Sequence, residues 1–377
     1  MPSPQKFHAW IETDLPFGDD RAALASDTPS KSISGSRSDW PLLRRFLGDV
    51  SPACAQGRLP TKAAIGYFTY EGDFWFGIHE GIQILPSTTW PGSQDRWHAA
   101  PPTSSMTPQE YAAAVRRIHE YIRAGDIYQV NLTRTLRAAF DGSPHGLFTA
   151  LRTVSPAPFS AFIASPGLHV LSSSPELFLR IDGREIETRP IKGTRPRFGD
   201  QAADRAAAEE LTTDPKEIAE LIMITDLERN DLGQVCEFGS VSVSRLTERQ
   251  SFAQVHHLVS TVRGRLRPNI HPLDAVTACF PGGSITGAPK KRAMEIISEI
   301  EPRPRGLYTG AIGFFGFDGM SQFNIAIRTI EIGGGEARFG VGSGITIDSD
   351  PAREFEETCH KAAGIQTALY GHRFRAS

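Results

Sequence analysis

Two apolar runs, residues 310–317 and 320–332, are separated only by Asp318-Gly319. Such a pair between apolar segments is a strong signal for a β-hairpin, because both residues tolerate the positive φ angles of a tight turn. A two-residue turn joins antiparallel strands, so the chain is predicted to contain antiparallel sheet. Further short apolar runs that predict strands lie at residues 65–70, 74–78, 168–173, 177–181 and 241–246.

Helix starts are equally clear. Residues 107–110 combine a capping threonine, a proline at the first helical position and a glutamate three residues after the cap. This helix is predicted to end near Ala124, because Gly125 can adopt the left-handed conformation that stops a helix. Antiparallel strands interrupted by long helices predict an α+β fold whose sheets are covered by helices on their outer faces. Three more helices are predicted to begin at Asp214-Pro215, Ala288-Pro289 and Asp350-Pro351, the last ending near Leu369.

The character of the sequence changes near residue 105. Before it, short apolar runs are broken by proline, glycine and serine, and residues 86–108 are typical of a connecting loop. After it, the signals for helices and strands are stronger. We therefore predict an N-terminal β-rich region, residues 1–105, that packs onto the same fold as a larger region, residues 106–372, which carries the candidate site residues.

Charge and composition exclude several classes of protein. The chain has 43 acidic and 40 basic residues and a net charge of −3, so it lacks a positive field that could recruit nucleic acid or an anionic membrane. Residues 1–6 lack the apolar core of a signal peptide, and no apolar run is long enough to cross a bilayer, which predicts a cytoplasmic protein. Without CxxC spacing, we expect reduced and buried thiols at Cys54, Cys236, Cys279 and Cys359.

Carboxylates recur on two of the predicted helices. Glu217, Glu220 and Asp226 fall on one helix, and Glu354 and Glu357, three residues apart on another, share a face. If each helix directed one carboxylate inward, the pair could hold Mg²⁺, which accepts few protein carboxylates and keeps positions for water and an anionic substrate. Spacing alone favours ordinary solvated helix faces over such a site.

Two glycine-rich segments could approach an anionic ligand. Gly340, Gly342 and Gly344 recur at every second residue, which places them on one face of a strand. Bare backbone there could offer N–H groups to a carboxylate, or it could let a helix pack closely on the sheet. The spacing does not separate these alternatives.

The second segment, residues 281–290, runs into a predicted helix N-terminus, an arrangement that can bind anions. It is nearly a phosphate-binding loop, but Ala288 stands where that motif requires lysine, which argues against ATP. Ser284 and Thr286 are candidate hydrogen-bond donors to a carboxylate. The alternative is a simple helix entry.

Two basic side chains, those of Lys192 and His257, are also candidates. Lys192 lies between Ile191 and Gly193, just after a predicted strand, and a partly buried lysine can act as an amine nucleophile. On its own, this position is more typical of a surface lysine in a turn. His257 could work beside the substrate, although a strand histidine is more often structural.

Two arginines lie on predicted strand faces with other polar positions. Arg263 shares a face with His257, and Arg328 shares one with Asn324 and Ala326. A guanidinium can clamp a carboxylate with two hydrogen bonds, so Arg328 is a candidate anion ligand. The alternative for Arg328 is a surface ion pair.

The order of these features along residues 107–370 resembles the chorismate-utilising enzymes. This family includes anthranilate synthase large subunits, aminodeoxychorismate synthase component I, isochorismate synthases and salicylate synthases. The resemblance implies two large antiparallel β-sheets packed face to face with helices on the outside, chorismate as substrate and magnesium as cofactor. The stretches that carry it are residues 127–134, 174–176, 226–231, 281–290 and 344–361.

The resemblance also assigns roles to single residues. It implies that Glu220 and Glu357 bind magnesium, with Glu354 in a water-mediated or supporting role. Glu176 matches the general acid/base beside the leaving hydroxyl, and His257 matches a histidine close to the substrate. The positions that match those holding the carboxylates or ring of chorismate are Ser284, Thr286, Tyr308, Arg328, Gly342 and Lys361.

Two positions distinguish the branches of the family. Gln129, counted among the substrate-binding positions, stands where isochorismate and salicylate synthases use a lysine base to activate water. Lys192 stands where anthranilate synthases have a small alanine, and in the aminodeoxychorismate branch this lysine is the nucleophile. The resemblance therefore implies a transferase-type chorismate aminase that forms 4-amino-4-deoxychorismate, for para-aminobenzoate and folate synthesis, through a Lys192 covalent intermediate. The alternatives are an anthranilate synthase large subunit and, in a different class, a non-catalytic anion-binding subunit.

The source of ammonia is expected to lie outside this chain. A glutaminase needs an activated cysteine on a sharp turn with a histidine partner, and none of the four cysteines has that sequence setting. We therefore expect ammonia to come from glutamine through a separate glutamine amidotransferase subunit.

Overall fold

The computed structural model describes residues 7–14, 21–48, 50, 57–93, 95–251 and 255–371. It confirms the predicted α+β class, because this part of the chain forms two large antiparallel sheets, of 11 and 10 strands, together with eight α-helices. None of these helices is both long and apolar enough to span a membrane. The helices are α1 (Trp40–Leu47), α2 (Pro108–Arg123), α3 (Pro144–Val154), α4 (Gln201–Thr213), α5 (Pro215–Gly233), α6 (Pro272–Cys279), α7 (Lys290–Ile300) and α8 (Pro351–Tyr370).

The strands divide into an N-terminal and a later group. The first group comprises β1 (Ala9–Asp14), β2 (Arg21–Ser26), β3 (Lys31–Gly35), β4 (Lys62–Phe68), β5 (Phe74–Glu80), β6 (Gln83–Pro86), β7 (Trp97–Ala99) and β8 (Thr103–Ser104). The second comprises β9 (Gln129–Gly142), β10 (Phe159–Ser165), β11 (Leu168–Ser174), β12 (Leu177–Asp182), β13 (Glu185–Arg189), β14 (Ile191–Pro196), β15 (Ser242–Ser251), β16 (Val255–Arg265), β17 (Gly287–Ala288), β18 (Ala311–Gly316), β19 (Ser321–Ile325), β20 (Thr329–Gly333) and β21 (Glu336–Ile345).

Strands from both groups interleave in each sheet. The first sheet has the order β17-β9-β21-β20-β11-β10-β1-β2-β6, with β7 and β8 also paired to β9. The second has the order β14-β16-β13-β12-β19-β18-β4-β5-β3, with β15 also paired to β16. The N-terminal strands β1 and β4 pair with β10 and β18, so they extend both sheets.

The two sheets pack face to face through aliphatic side chains. Ile11 and Ile163 of the first sheet share a buried cluster with Ile65 and Ile312 of the second. The burial of such side chains is the main favourable contribution to folding, at roughly 25 cal/mol per Å² of apolar surface. This buried layer fixes the two sheets relative to each other.

Helices cover the outer faces. Phe148 of α3 and Ile365 of α8 pack with Phe339 on the first sheet. On the second sheet Trp40 of α1 packs against Phe68, with ring centroids 4.9 Å apart. The expectation of helices outside two packed sheets is confirmed.

The capping signals read from the sequence are also confirmed. Thr107 Oγ1 accepts the backbone N–H of Glu110 at 3.2 Å, and the Glu110 carboxylate accepts the Thr107 N–H at 2.7 Å. Gly125 has a φ of 82° just after α2. Asp214 and Asp350 cap α5 and α8. These caps set where the two carboxylate-bearing helices begin.

The Asp318-Gly319 hairpin is present, but one of its predicted strands is divided. Residues 320–332 form β19 in the second sheet and β20 in the first. Arg328 lies between them with a φ of 50°. The predicted common face of Arg328 with Asn324 and Ala326 is therefore wrong, because the crossing between sheets interrupts the alternation of a strand.

The thiol prediction holds in part. Cys236 and Cys279 are buried and free, as predicted. Cys359 is exposed, so the prediction of a buried thiol is wrong there, and its Sγ accepts a hydrogen bond from Arg134 at 3.3 Å. Cys54 lies outside the described residues.

Candidate active site

The candidate residues meet where strands of both sheets approach α5 and α8. Glu220 on α5 contacts Gln129 of β9, in the first sheet, and Lys192 of β14, in the second. The charge of Glu357 on α8 also acts on Glu220. Lys361, one turn further along α8, pairs with Glu357 at 2.6 Å. The fold thus assembles in one place residues that are more than 200 positions apart in sequence.

Lys192 lies in a strand rather than in a turn. Strand β14 contains a β-bulge at Gly193, where φ is 68°. The Nζ of Lys192 is 3.9 Å from Oε2 of Glu220, and only 13% of the Lys192 side chain is exposed. The alternative of a surface turn lysine is wrong, because α5 covers this side chain and supplies a carboxylate opposite it.

Glu176 is a buried carboxyl group between β11 and β12. It accepts hydrogen bonds from the Ser284 hydroxyl and from the backbone of Ile191. Burial raises its pKa to about 7, although Ser284 and the charge of Lys192 act in the opposite direction. A carboxyl group with such a pKa can both donate and accept a proton near neutral pH.

The two candidate metal carboxylates differ in their surroundings. Burial raises the pKa of Glu220, while Lys192 opposes the shift and Glu357 adds to it. For Glu357, burial acts to raise the pKa, but the Lys361 ammonium outweighs it and the net pKa is lowered. Lys192 and Lys361 only partly neutralise the negative charge of these two neighbouring carboxylates, so the pair attracts a cation.

The donors that Glu220 and Glu357 offer are carboxylate oxygens, which are the ligands that magnesium takes. Among the described residues, no three or more His, Cys, Asp or Glu side chains are grouped as metal ligands. Mg²⁺ usually takes one or two protein carboxylates and completes its shell with water and substrate oxygens, so Glu220 and Glu357 are a sufficient pair.

The remaining acidic candidates separate into different environments. Glu354 is buried and accepts the Ser349 hydroxyl through Oε1 at 2.6 Å, while its Oε2 has no hydrogen-bond partner among the described residues. Glu217 faces Arg195 at 3.4 Å. Asp226 is 75% exposed and pairs with Arg229, so the solvated alternative is correct for this residue.

His257 is buried on β16. Its Nδ1 lies 3.0 Å from Oγ1 of Thr194 and 3.1 Å from the carbonyl oxygen of Gly193. Burial and then the nearby Arg328 lower the pKa of His257 to about 4, so the imidazole is neutral at pH 7. Arg263, predicted beside it, instead pairs with Glu187 and is 56% exposed, so it is not part of this group.

Arg328 is a largely buried cation. No carboxylate of the described residues forms an ion pair with its guanidinium, so the surface ion-pair alternative is wrong. Burial lowers its pKa below the ordinary arginine value. A second cation, Lys361, donates to the carbonyl oxygen of Gly342 at 3.1 Å. Both cations act on His257, which places them near one another.

The two hydroxyls of the loop before α7 have partners within the protein. Ser284 donates to Glu176. The Thr286 hydroxyl donates within the loop, to the carbonyl oxygens of Gly282 at 3.0 Å and Gly283 at 3.3 Å, and its contact with a ligand carboxylate stays a prediction. Thr286 is fully buried, so its structural effect is to hold the loop in shape.

Glycines in β21 leave room for side chains that pack across the strand. A Cβ on Gly340 would lie 2.2 Å from the ring of Tyr308, and a Cβ on Gly344 would lie 2.3 Å from the amide nitrogen of Gln129. The same Gln129 nitrogen is 3.5 Å from Oε2 of Glu220. At Gly340 and Gly344 it is therefore candidate substrate-binding side chains, and not a helix, that occupy the space. A Cβ on Gly342 would instead meet Leu132 and Thr133 of β9, at 2.7 and 2.8 Å.

Two supporting residues were not singled out from the sequence. Glu228 on α5 is buried and accepts the backbone N–H of Gly283 at 2.8 Å. Burial and the neighbouring Asp231 raise the pKa of Glu228. Arg305 donates to the carbonyl oxygens of Ile285 and Asn131, at 2.9 and 2.8 Å. Both act on the Ser284 loop through the backbone, and backbone partners leave no pattern in a sequence.

The comparison with known families agrees with this geometry. Residues 82–367 match the family model described as chorismate binding enzyme. This match covers most of the chain, so the protein belongs to the chorismate binding enzyme family. The recognition made from motifs in the sequence is thereby confirmed.

Relatives carry two different names. The chain is 49% identical over 266 residues to anthranilate synthase component 1 1 of Haloarcula marismortui, covering 71% of this chain and 54% of the relative. It is 45% identical over 264 residues to aminodeoxychorismate synthase component 1 of Bacillus subtilis, covering 70% of this chain and 56% of the relative. The matched part thus spans about half the length of these relatives.

The fold is shared over nearly the whole chain. Anthranilate synthase component I of Streptococcus pneumoniae superposes with a TM-score of 0.79 at 27% identity, covering 94% of each chain. Two packed antiparallel sheets with outer helices are therefore the architecture of this family, as the resemblance implied.

Proposed function

We propose that the protein is an aminodeoxychorismate synthase component I, which converts chorismate and ammonia to 4-amino-4-deoxychorismate. The single observation that carries this choice is the position of Lys192. Its amine is largely shielded from solvent, faces Glu220 and acts on Glu176. A lysine in that place can attack the substrate and form a covalent intermediate. Amination by this route differs from direct addition of ammonia to the ring, which needs no such lysine.

Chorismate would enter as a dianion. The cation that meets one carboxylate is Arg328, whose charge no carboxylate of the described residues neutralises. Lys361, partly exposed and paired with Glu357, would approach the other side together with Tyr308 and the backbone of Gly342. The ring would lie against Gln129, which has no basic amine with which to activate water for an isochorismate synthase reaction.

Magnesium would be held by Glu220 and Glu357, with Glu354 supporting them. When bound, the ion neutralises the ring carboxylate of the substrate and withdraws electron density from the ring. Glu220 also attracts the Lys192 side chain. It would therefore hold the nucleophile close to the place proposed for the substrate carboxylate.

The chain's own residues then account for the proton and bond changes. The Lys192 amine forms a bond to carbon 2, the two conjugated double bonds of the ring both shift, and the bond from carbon 4 to its hydroxyl breaks. Glu176 donates its proton to that hydroxyl, which leaves as water, and the carboxylate so formed takes up the proton that the nitrogen of Lys192 loses. A protonated Glu176 suits this step, because burial gives it a pKa of about 7.

Ammonia completes the cycle. It attacks carbon 4, the two double bonds shift back, and the bond between carbon 2 and Lys192 breaks, while the proton lost by the new ammonium group returns to the amine. The product keeps its enolpyruvyl ether, so a separate lyase has to act before para-aminobenzoate and folate can be made. The relatives' designation as component 1 supports a partner subunit, and we propose a glutamine amidotransferase that supplies the ammonia.

Anthranilate synthase is the second candidate. It is favoured by the 49% identity to a relative of that name. A non-catalytic anion-binding subunit is less well supported, since Lys192, Glu176, Glu220 and Glu357 are all present and meet in one place.

The product separates these candidates. The protein is incubated with chorismate, ammonium and Mg²⁺, and the products are separated and analysed by mass and fluorescence. We expect 4-amino-4-deoxychorismate, which a lyase converts to para-aminobenzoate. Fluorescent anthranilate would contradict the proposal, and no turnover with saturating ammonium would favour the binding subunit.

A further inference from the structure

Strand β14 loses its alternation at one residue. Lys192 is opposite Leu258 of β16, and Thr194, rather than Gly193, is opposite His257. Cross-strand partners share a face, and successive residues of one strand alternate between faces. Lys192 and Thr194 would therefore share a face in a regular strand, but the extra residue at Gly193 directs them to opposite faces.

The two faces have different neighbours. On the side of Lys192, Leu258 packs with Leu211 of α4 and Leu221 of α5, next to Glu220. On the other side, Thr194 and His257 contact each other at 3.0 Å. One bulge thus places the amine next to the carboxylate helix and, at the same time, brings a hydroxyl to the buried histidine.

The contacts of His257 determine which ring nitrogen carries the proton. Its Nδ1 is 3.1 Å from the carbonyl oxygen of Gly193. A carbonyl oxygen only accepts hydrogen bonds, so Nδ1 must be the donor, and Thr194 Oγ1 can accept from the same N–H. A neutral imidazole has a single N–H, which leaves Nε2 as an acceptor.

We propose that Gly193 is a positioning residue for both groups: its bulge directs Lys192 toward Glu220, and its carbonyl holds His257 in the Nδ1–H form, so that Nε2 accepts a hydrogen bond from a substrate hydroxyl. The statement about the substrate rests on the proposed function. The tautomer and the bulge are properties of the protein alone.

Only glycine satisfies this position. Its φ of 68° lies in the left-handed region, which side chains rarely adopt. A Cβ there would lie 2.6 Å from Cδ1 of Leu211 and 3.2 Å from Oε2 of Glu217. A larger residue would have to flatten the bulge or displace α4 and α5, and either change would move Lys192 and the carbonyl together.

The tautomer can be measured in the resting protein. Protein labelled with ¹⁵N-histidine is examined by long-range ¹H–¹⁵N correlation spectra, and the His257 signals are assigned by their loss in His257→Gln. We expect a protonated Nδ1 and an unprotonated Nε2 at pH 7. A protonated Nε2, or a mixture of the two forms, would overturn the proposal whatever product the enzyme makes.

Substitution tests the bulge. Gly193→Ala is compared with Gly334→Ala, a matched control with a φ of 57° and nothing within 4 Å of the new Cβ. Both replacements strain the backbone, but we expect only Gly193→Ala to mix the tautomers and to lower kcat. Equal tautomer populations and equal kcat in the two variants would contradict the proposal.

A second pair covers the case in which Gly193→Ala does not fold. Thr194→Val removes one acceptor at Nδ1, so kcat/KM should fall by about 3- to 10-fold, the effect of one hydrogen bond. Thr194→Ser keeps the hydroxyl and should restore most of the activity. An equal loss in both variants would show that packing, and not the hydroxyl, matters. The expected tautomer without any amination product would refute only the proposed function.

Discussion

The Nζ of Lys192 lies 3.9 Å from Oε2 of Glu220, across the gap between β14 and α5. This distance joins the proposed nucleophile to a proposed magnesium ligand. The two residues therefore depend on one another, because the carboxylate proposed to hold the ion also attracts the amine. Substitutions in this group should affect catalysis more than folding.

Glu176 is expected to control the high-pH side of the activity profile. Its pKa is raised to about 7, so the acid form is present below that pH and is lost above it. Activity should fall as pH rises through 7 if Glu176 donates a proton to the leaving hydroxyl. Glu176→Gln should lower kcat by about 10²- to 10⁴-fold and remove this limb, measured as kcat against pH.

Ser284→Ala provides the matched variant for that experiment. The Ser284 hydroxyl stabilises the ionised form of Glu176, and its removal should raise the pKa and move the limb to higher pH. A limb that moves to lower pH, or does not move, would contradict the assignment of this limb to Glu176.

The carboxylates of α5 and α8 should differ in how strongly they affect the magnesium requirement. Glu220→Ala and Glu357→Ala should each raise the Mg²⁺ concentration needed for half-maximal activity by more than about 10-fold, because a ligand is at least as important as its supporting groups. Glu354→Gln should have a smaller effect. Asp226→Ala, which removes only an exposed ion pair on α5, is the control and should leave the Mg²⁺ requirement unchanged. Equal effects at Asp226 and Glu220 would exclude the proposed ligands.

His257 is expected to destabilise the fold in acid. Its pKa in the folded protein is about 4 against an ordinary 6.5, so the unfolded chain takes up the proton first. The stability it contributes is present above pH 6.5 and is lost as pH falls toward 4, by up to about 1.4 kcal/mol per pH unit. The free energy of unfolding in urea should therefore depend less on pH in His257→Gln than in the unmodified protein.

An exposed histidine serves as the control for this measurement. His98→Gln should keep the pH dependence of the unmodified protein, since His98 lies at the surface. The same slope in all three proteins between pH 4 and 6.5 would show that His257 is protonated equally in the folded and unfolded chains.

Glu228 should matter through the loop that it holds. Glu228→Ala leaves the buried N–H of Gly283 without its acceptor, which should cost about 1–3 kcal/mol of stability and reduce kcat as the Ser284 loop moves. Glu228→Gln can still accept from that N–H and should lose less of both. Urea unfolding and kcat are measured for the pair, and an equal loss would argue against the hydrogen bond.

The sequence predicted what local chemistry determines. Capping residues such as Thr107 and Asp350 located helix starts, and the Asp318-Gly319 turn located a hairpin, because each acts on neighbours a few residues away. After that hairpin the sequence predicted one strand at residues 320–332, which the structure divides between the two sheets. The crossing at Arg328 depends on which sheet completes the pairing, which is not a local property.

The candidate site was less predictable for the same reason. Lys192 alone is typical of a surface turn, and only the family resemblance gave it a role, because its burial depends on α5 and on a bulge defined by β16. The internal use of the Thr286 hydroxyl and the contact of Glu228 with Gly283 depend on backbone groups brought together by folding. Such contacts have no sequence signature.

The most direct test of the account concerns the bond to Lys192. The protein is mixed with chorismate and Mg²⁺ in the absence of ammonia, quenched in acid and examined by intact mass and peptide mapping. We predict an adduct equal to chorismate minus water on the peptide that contains Lys192, absent in Lys192→Ala and discharged by ammonium as 4-amino-4-deoxychorismate. An unmodified Lys192 together with undiminished amination by Lys192→Ala would contradict the account.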